Sequence, residues 1–330
     1  MYIINKNICL LFVLFSFCSS CSENKQQEKI LFSITRFDKD LYHFLHETMS
    51  QEELLEKHRS FLNLFGENII NIGSSDSLDF FLRLENYFSH PALKQLYEDE
   101  INTFADISSI EKDISFGLQF FNDNFDPINI PAVYLHTSGL SQNIVISEDF
   151  LSISADKYLG IEYALYRDFF YDYQREDMTP NQMAPDCLLG FLMSVFPAPS
   201  DNNTCLLDRM IYEGKLRYLL TLALPSYSIE TIMKYTEVQE NWFKTYEADV
   251  WELLIQEKHL YSQDRMTIDK YIQEAPYTAF FSNESPDKLG IRIGFQIIKS
   301  FMKEKSQTSL QELMQNTNSQ MILNISKYKP

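Results

Sequence analysis

Between Pro127 and Gly160 the chain leaves the helical period that governs the rest of it. Ile130–His136 (IPAVYLH), Asn143–Ser147 (NIVIS) and Phe150–Ser154 (FLSIS) are short and rich in β-formers. Thr137-Ser138-Gly139 and Glu148-Asp149 link them in turn-like fashion. Short runs of this kind separated by tight links predict one small antiparallel sheet at about residues 130–155. Nothing else in the sequence reads as β. The fold class expected is therefore α+β, mostly α-helical, with that sheet embedded among helices.

The flanking segments carry apolar residues three and four apart, the spacing that lines one helix face. On the N-terminal side these are the Leu-rich stretch Gln51–Phe65, then Leu78, Leu82, Phe88 and Leu96 with Pro91 interrupting, then Ile114, Leu118, Phe121 and Phe125. Beyond the sheet, Thr179-Pro180-Asn181-Gln182 reads as a helix start before the apolar stretch Ala184–Phe196. Leu206–Leu224 forms another helix. Thr236-Glu237-Val238-Gln239 is a capping box for a helix bearing Trp242, Tyr246, Val250 and Leu254. Ser285-Pro286 is expected to cap a helix striped by Leu289, Ile293, Ile297 and Phe301, and Thr308-Ser309 a last short one. Gly290 and Gly294 lie four apart on that striped helix. Arg292 and Lys299 mark it as a water-soluble helix, so the glycines predict one close backbone approach to a neighbour rather than a membrane contact.

The first 21 residues, MYIINKNICLLFVLFSFCSSC, have one charge, Lys6, then an apolar run from Ile8 to Phe17 and small Ser19-Ser20 before Cys21. Such a run, within the roughly 7–15 residues of a secretory signal and short of the roughly 20 needed to span a bilayer, predicts export and cleavage. Cysteine at the cut predicts an anchored product, with palmitate-type acyl chains carried by Cys21 and the membrane as its first partner. The position three before Cys21 is Cys18, where Leu, Val or Ile is usual. An ordinary secretory signal is the alternative. Residues 22–30 are polar and read as a flexible tether, leaving 31–330 as one globular domain.

The formal charge is −18, and cleavage takes Lys6 with it, leaving −19. A body so acidic repels phosphate backbones, and nucleic acid is excluded as a partner. After cleavage and lipidation two thiols remain, Cys187 and Cys205. In an oxidising compartment a disulfide between them is one reading, and two buried apolar thiols on neighbouring helices the other.

Catalytic signatures are missing. There is no GxSxG, no CxxC and no HExxH, and nine glycines leave little room for a phosphate-binding loop. His43 and His46 form an HxxH pair that reads as a surface helix face, and His136 as an ordinary strand-edge residue. Asp208 and Glu213 flank Arg209 on an otherwise apolar helix, the pattern of a solvated edge or an internal ion pair. Asp76-Ser77-Leu78 matches the Asp-Ser/Thr-aliphatic pattern of O-glycosylation in exported proteins, which makes Ser77 a candidate glycan site. No cofactor is expected.

Several segments then resemble, in order, one known family. They are RFDKDLY (Arg36–Tyr42), Ile130–Gly160, YQREDMTPNQMAPD (Tyr173–Asp186), LLDRMIYEGK (Leu206–Lys215), YTEVQENW (Tyr235–Trp242), ESPDKLGIRIGFQIIKSFM (Glu284–Met302) and the terminal SKYKP. They are similar to the GldB family, gliding motility-associated lipoproteins of Bacteroidetes. The resemblance implies an envelope lipoprotein linked to gliding and type IX secretion, acting through contacts with other envelope proteins. A fainter likeness is to gluzincin-type metallopeptidases, in which a helix carrying HExxH precedes a helix supplying a third ligand, here matched by Glu213-Gly214. The helix at Pro185–Phe196 has no histidine, so the layout would be that of a zincin that has lost its metal, with Glu213 a remnant. A non-enzymatic protein is expected. A metallopeptidase-derived enzyme with an unrecognised site is the alternative.

Overall fold

The computed structural model describes residues 32–199 and 204–330, which belong to one compact unit. The signal with Cys21, and the tether, lie outside the described residues.

Strand β1 (Ile34–Arg36) leads directly into α1 (Phe37–Leu45). Helix α2 (Gln51–Leu64) opens on a capping box, in which Ser50 Oγ accepts from Glu53 N and Glu53 Oε2 from Ser50 N. It runs into a π turn, Phe65–Ile69. Next come α3 (Phe80–Phe88), α4 (Pro91–Thr103) and α5 (Ser108–Asn124). Pro91 is the first residue of α4, where its missing N–H costs nothing. The apolar face of α3 is Phe80, Leu84 and Phe88, not the face through Leu78 and Leu82, both of which are exposed. The turn Ser74–Phe80, closed by Ser77 N to Ser74 O and Phe80 N to Ser77 O, comes before the helix and rotates its register.

The sheet holds four strands in the order β1-β2-β4-β3, with β2 at Ala132–His136, β3 at Ile144–Ile146 and β4 at Phe150–Ser154. It is mixed rather than antiparallel. β1 runs parallel to β2 and β2 to β4, and only β3 against β4 is antiparallel. The cause is the β2–β3 link. It passes the carboxyl end of β4 instead of turning straight back, which leaves a slot for β4 beside β2. Asp156 holds that link: its carboxylate accepts from Ser138 N at 3.1 Å and Leu140 N at 2.6 Å. Gly139 and Leu140 both have φ of +69° there, and a Cβ at Gly139 would meet the Tyr87 hydroxyl at 2.8 Å. The sequence also concealed β1, whose three residues are too few to display alternation.

One sheet face, Val133, Leu135, Leu151 and Ile153, packs on α5 and the later helices. Tyr134, Val145 and Phe150 on the other face meet the rings of the N-terminal helices, with Tyr134 stacked on Phe61 at 4.1 Å. His136 is not an edge residue. It ends an inner strand, is fully buried, and sits 2.5 Å by Nδ1 from Ser152 Oγ.

Past the sheet come the short helices α6 (Tyr166–Phe169) and α7 (Asp172–Arg175). A 3-10 turn at Pro180–Gln182 then leads into α8 (Met183–Val195), with Pro185 in its first turn, where no helical N–H is required. Helices α9 (Leu206–Ala223) and α10 (Ile229–Met233) follow, and α11 (Glu237–Gln256) carries the predicted capping box at Thr236. After α12 (Arg265–Ile272) comes α13 (Leu289–Glu304). Ser285 does not cap α13. Its hydroxyl turns to Thr278 O, and Lys288 in left-handed conformation precedes the helix. Two short helices, α14 (Leu310–Gln315) and α15 (Ser319–Ser326), end the fold in place of one.

The single close approach predicted for Gly290 and Gly294 is two: a Cβ at Gly290 would meet the Tyr271 carbonyl of α12 at 2.9 Å, and a Cβ at Gly294 would strike the Met210 carbonyl of α9. Gly214 on α9 faces Gly294 in return. Arg292, expected in water, is buried and forked onto Glu240 at 3.0 and 3.1 Å, with its guanidinium 4.3 Å from the Phe243 ring. No described helix is long and apolar enough to cross a membrane.

Candidate functional site: the groove between strand β3 and helix α8

Two polar clusters compete for attention. The first lies at the carboxyl ends of the parallel strands, the edge at which open α/β sheets usually bind ligands. Asp38, immediately after β1, takes a bidentate fork from Arg36. Glu100 on α4 accepts from Thr137 Oγ1 at 2.8 Å, and Tyr97 donates to the Asp38 carbonyl at 2.7 Å. Burial and then the neighbouring Asp38 charge push the Glu100 pKa well above the usual carboxylate range. Asp38, Glu100, Thr137, Ser138, Ser154 and Asp156 all have zero exposure. A ligand cannot reach them. The cluster ties α1, α4 and the β2–β3 link together, and its role is structural.

The second is open. A groove of about 610 Å³ runs between β3 and α8, lined by Gln142, Asn143, Ile144, Ile146, Leu189 and Met193 among others. It continues past Ile146 and Ser194 into a hollow bordered by Pro127–Asn129 and Glu148. Helix α8 lies close because Gly190 has no side chain: a Cβ there would come within 3.0 Å of Ile144 Cγ2. Strand β3 is the sheet edge. Ser154 N donates to Asn143 O and Ser147 N to Phe150 O, while Val145 stands opposite Ser152. Residues 143, 145 and 147 thus spend their backbone groups on β4. The antiparallel alternation turns the N–H and C=O of Ile144 and Ile146 outward, toward the space an added strand would fill.

Asp186 on α8 also lines the groove. Lys234 Nζ holds it at 2.8 and 3.0 Å, and Tyr158 donates to it at 3.0 Å. Burial works against the Lys234 ammonium, but Asp186 and Asp177 outweigh it and raise its pKa. Burial lifts Asp177, on the other side of Lys234, to about 6. Asp186 is therefore a committed salt-bridge partner, with both oxygens engaged.

The residues singled out in the sequence fall elsewhere. Glu213 is buried on α9 between Arg209 at 3.8 Å and Arg217 at 3.4 Å, an internal ion pair. Gly214 beside it serves the contact with α13. The sheet-then-α8-then-α9 order of the degenerate zincin layout is present. Among the described residues, however, no three His, Cys, Asp or Glu side chains converge as a metal site requires. Cys187 and Cys205 are free thiols, Cys187 fully buried against the sheet-side core and Cys205 next to the core formed by α9, α11 and α13. His43 and His46 are exposed at the end of α1, with His46 stacked on Tyr42 at 4.0 Å. Ser77 is in the surface turn before α3, beside fully exposed Leu78. Asp186 and Lys234 escaped sequence reading because 48 residues separate them. The only hint was an acidic residue on an otherwise apolar helix.

No curated protein and no solved structure matches the chain. A family model described as "Gliding motility protein GldB" matches residues 19–330, nearly the whole chain, and the protein belongs to that family.

Proposed function

We propose that this protein is a lipid-anchored, non-catalytic component of the cell envelope that works in gliding or type IX secretion-linked machinery by holding another envelope protein. The β3–α8 groove is the contact surface, and it accepts an extended segment of the partner as an added strand. The observation that carries this reading is the outward pair of backbone groups at Ile144 and Ile146 beside an apolar groove floor. Main-chain hydrogen bonds give such a contact its affinity, and the floor residues Leu189 and Met193 select alternate side chains. The family description supports the setting, and the Ser19-Ser20-Cys21 start of the matched region supports the anchor. Asp186 lines the groove but is held by Lys234, and the carboxylate of Glu148 borders the hollow into which the groove continues.

The test is photo-crosslinking in cells from Gln142, at the groove, against Leu78, in the remote turn. Crosslinks to one envelope protein are expected from Gln142 alone. Ile144→Pro, which deletes an outward donor, and Met193→Glu, which charges the floor, should abolish them and reduce gliding or secretion. Cys21→Ala should move the protein out of the membrane fraction. Crosslinks that survive both groove substitutions would sink the assignment of this surface.

A further inference from the structure

At the carboxyl end of α8 a second cleft of about 600 Å³ opens between the segment after α8, α9 and the α14–α15 corner. Its walls include Val195, Phe196, Ile211, Tyr212 and Met314, and Lys215 reaches into it from α9. Lys215 is 5 % exposed. Its ammonium donates to the Asn316 carbonyl at 2.6 Å, and no carboxylate lies within ion-pair distance of it among the described residues. From α7 onward every other buried or half-buried cation described has a carboxylate partner: Arg175 has Asp172, Arg209 and Arg217 have Glu213, Lys234 has Asp186, Lys288 has Asp287, and Arg292 has Glu240. Earlier in the chain, buried Lys157 has instead the Leu140 carbonyl and the Phe170 ring. Asp208 borders the same cleft, but it lies seven residues along α9, roughly 10 Å by the helical rise. Its carboxylate is committed to the Cys205 amide at 2.9 Å.

A buried ammonium with three donors and one carbonyl acceptor is under-satisfied in both charge and hydrogen bonding. Desolvation accordingly pulls its pKa down to about 8. The first residue of α15, Ser319, lines the same cleft. Thr317 adds a hydroxyl to the lining. Thr204, Asp208 and Asn316 are the other polar residues of the lining, and Val195, Phe196, Ile211, Tyr212 and Met314 make its apolar part. One buried ammonium beside that apolar part matches a carboxylate carried on an apolar body.

We infer that the Lys215 cleft binds the carboxylate of a small organic anion, with its apolar body against Phe196, Ile211, Tyr212 and Met314. The carboxylate supplies the missing counter-charge and takes the free N–H donors of Lys215. The apolar body buries against the walls, in a volume suited to a ligand of ten to a few tens of heavy atoms, on the order of common ligand pockets. This site is independent of the β3–α8 groove and does not rest on the function proposed for it.

The experiment is calorimetric titration of the purified protein with 3-phenylpropanoate, and with 3-phenylpropan-1-ol as the uncharged control. Saturable one-to-one binding of the acid is expected, with the alcohol about 10- to 100-fold weaker, the factor for losing a charge-assisted hydrogen bond. Lys215→Met should lose the acid by a similar factor, and Lys215→Arg should restore part of it. Competitive acetylation of the unaltered protein, followed by mass spectrometry, guards against a variant that misfolds. Lys215 should react with a midpoint near pH 8 when free and be protected, with a higher midpoint, in the presence of the acid. Absence of binding, equal affinity for acid and alcohol, or Lys215 reactivity indifferent to the acid would each overturn the inference.

Discussion

His136 shows how far a residue's environment can depart from what its type suggests. It ends an inner strand, packed against the rings of Phe61 and Phe65, and burial drives its pKa down to about 3. The folded state holds it neutral, while the unfolded chain protonates it at about 6.5. The folded pKa is depressed, so the unfolded state binds the extra proton throughout this window, and stability is lost as pH falls from about 6.5 toward 3. The loss amounts to at most roughly 5 kcal/mol for a full shift of this size. His136→Gln keeps a polar partner for Ser152 and removes the titration. Denaturant unfolding between pH 7 and 4 should show a shallower decline for that variant, and an unchanged slope would mean that other groups carry the acid sensitivity. Asp177 has the opposite sign. Its raised pKa, about 6, favours the folded state below about 3.8, and this contribution fades as pH climbs past 6. The two trends oppose each other between about pH 4 and 6, and His136→Gln separates them.

Helix α13 draws its place in the fold from glycine as much as from its apolar stripe. Leu289, Ile293, Ile297 and Phe301 are all buried, as their spacing predicts. The distance of approach is set by Gly294 against Met210 and by Gly214 against Gly294, where backbone meets backbone and neither chain can yield. Gly294→Val is expected to cost about 3 kcal/mol or more, the upper range for overpacking, because the clash is with a carbonyl rather than a movable side chain. Thermal unfolding would register it as a large drop in Tm. Gly160→Ala is the matching control for space: a Cβ there meets nothing within 4 Å, so only its left-handed φ of +111° penalises the change. Equal tolerance of both substitutions would contradict the packing account.

At the scale of the molecule, α9 is the element shared by two cores. Tyr212, Leu216, Leu219 and Leu220 belong to the core beneath the sheet, while Leu206, Leu207, Met210 and Ile211 belong to the core formed with α11 and α13. Neither core can open without stripping one side of α9. Its central amides should therefore be among the slowest to exchange with deuterium, opening only with global unfolding. The exposed backbone of β3 should exchange early. If the α9 amides exchanged in two classes, one for each core, the cores would be independent units. In a chain of net charge −18 the charge pattern still says little about the fold, because the ion pairs that matter, Asp186–Lys234 and Glu240–Arg292, are internal and far apart in sequence.

Apart from β1, α1 and the short helices α6, α7, α10 and α12, which it hid, the sequence by itself determined the long helices, the β region at 132–154, and that a glycine of α13 meets a neighbouring helix. These follow from periodicity, caps and side-chain size, which act over a few residues. The family resemblance carried by seven ordered segments was equally plain, because a run of matching residues in register needs no three-dimensional information. Tertiary structure alone decided the strand directions, the inward turn of Arg292 and His136, the engagement of Asp186 by Lys234, and the isolation of Lys215. Each depends on what a distant segment places opposite: an aspartate two residues past β4 redirects a loop, and a glutamate 52 residues away draws an arginine into the core. Local sequence bears no trace of such partners, because electrostatics and hydrogen bonding act through space once burial has removed the competing water.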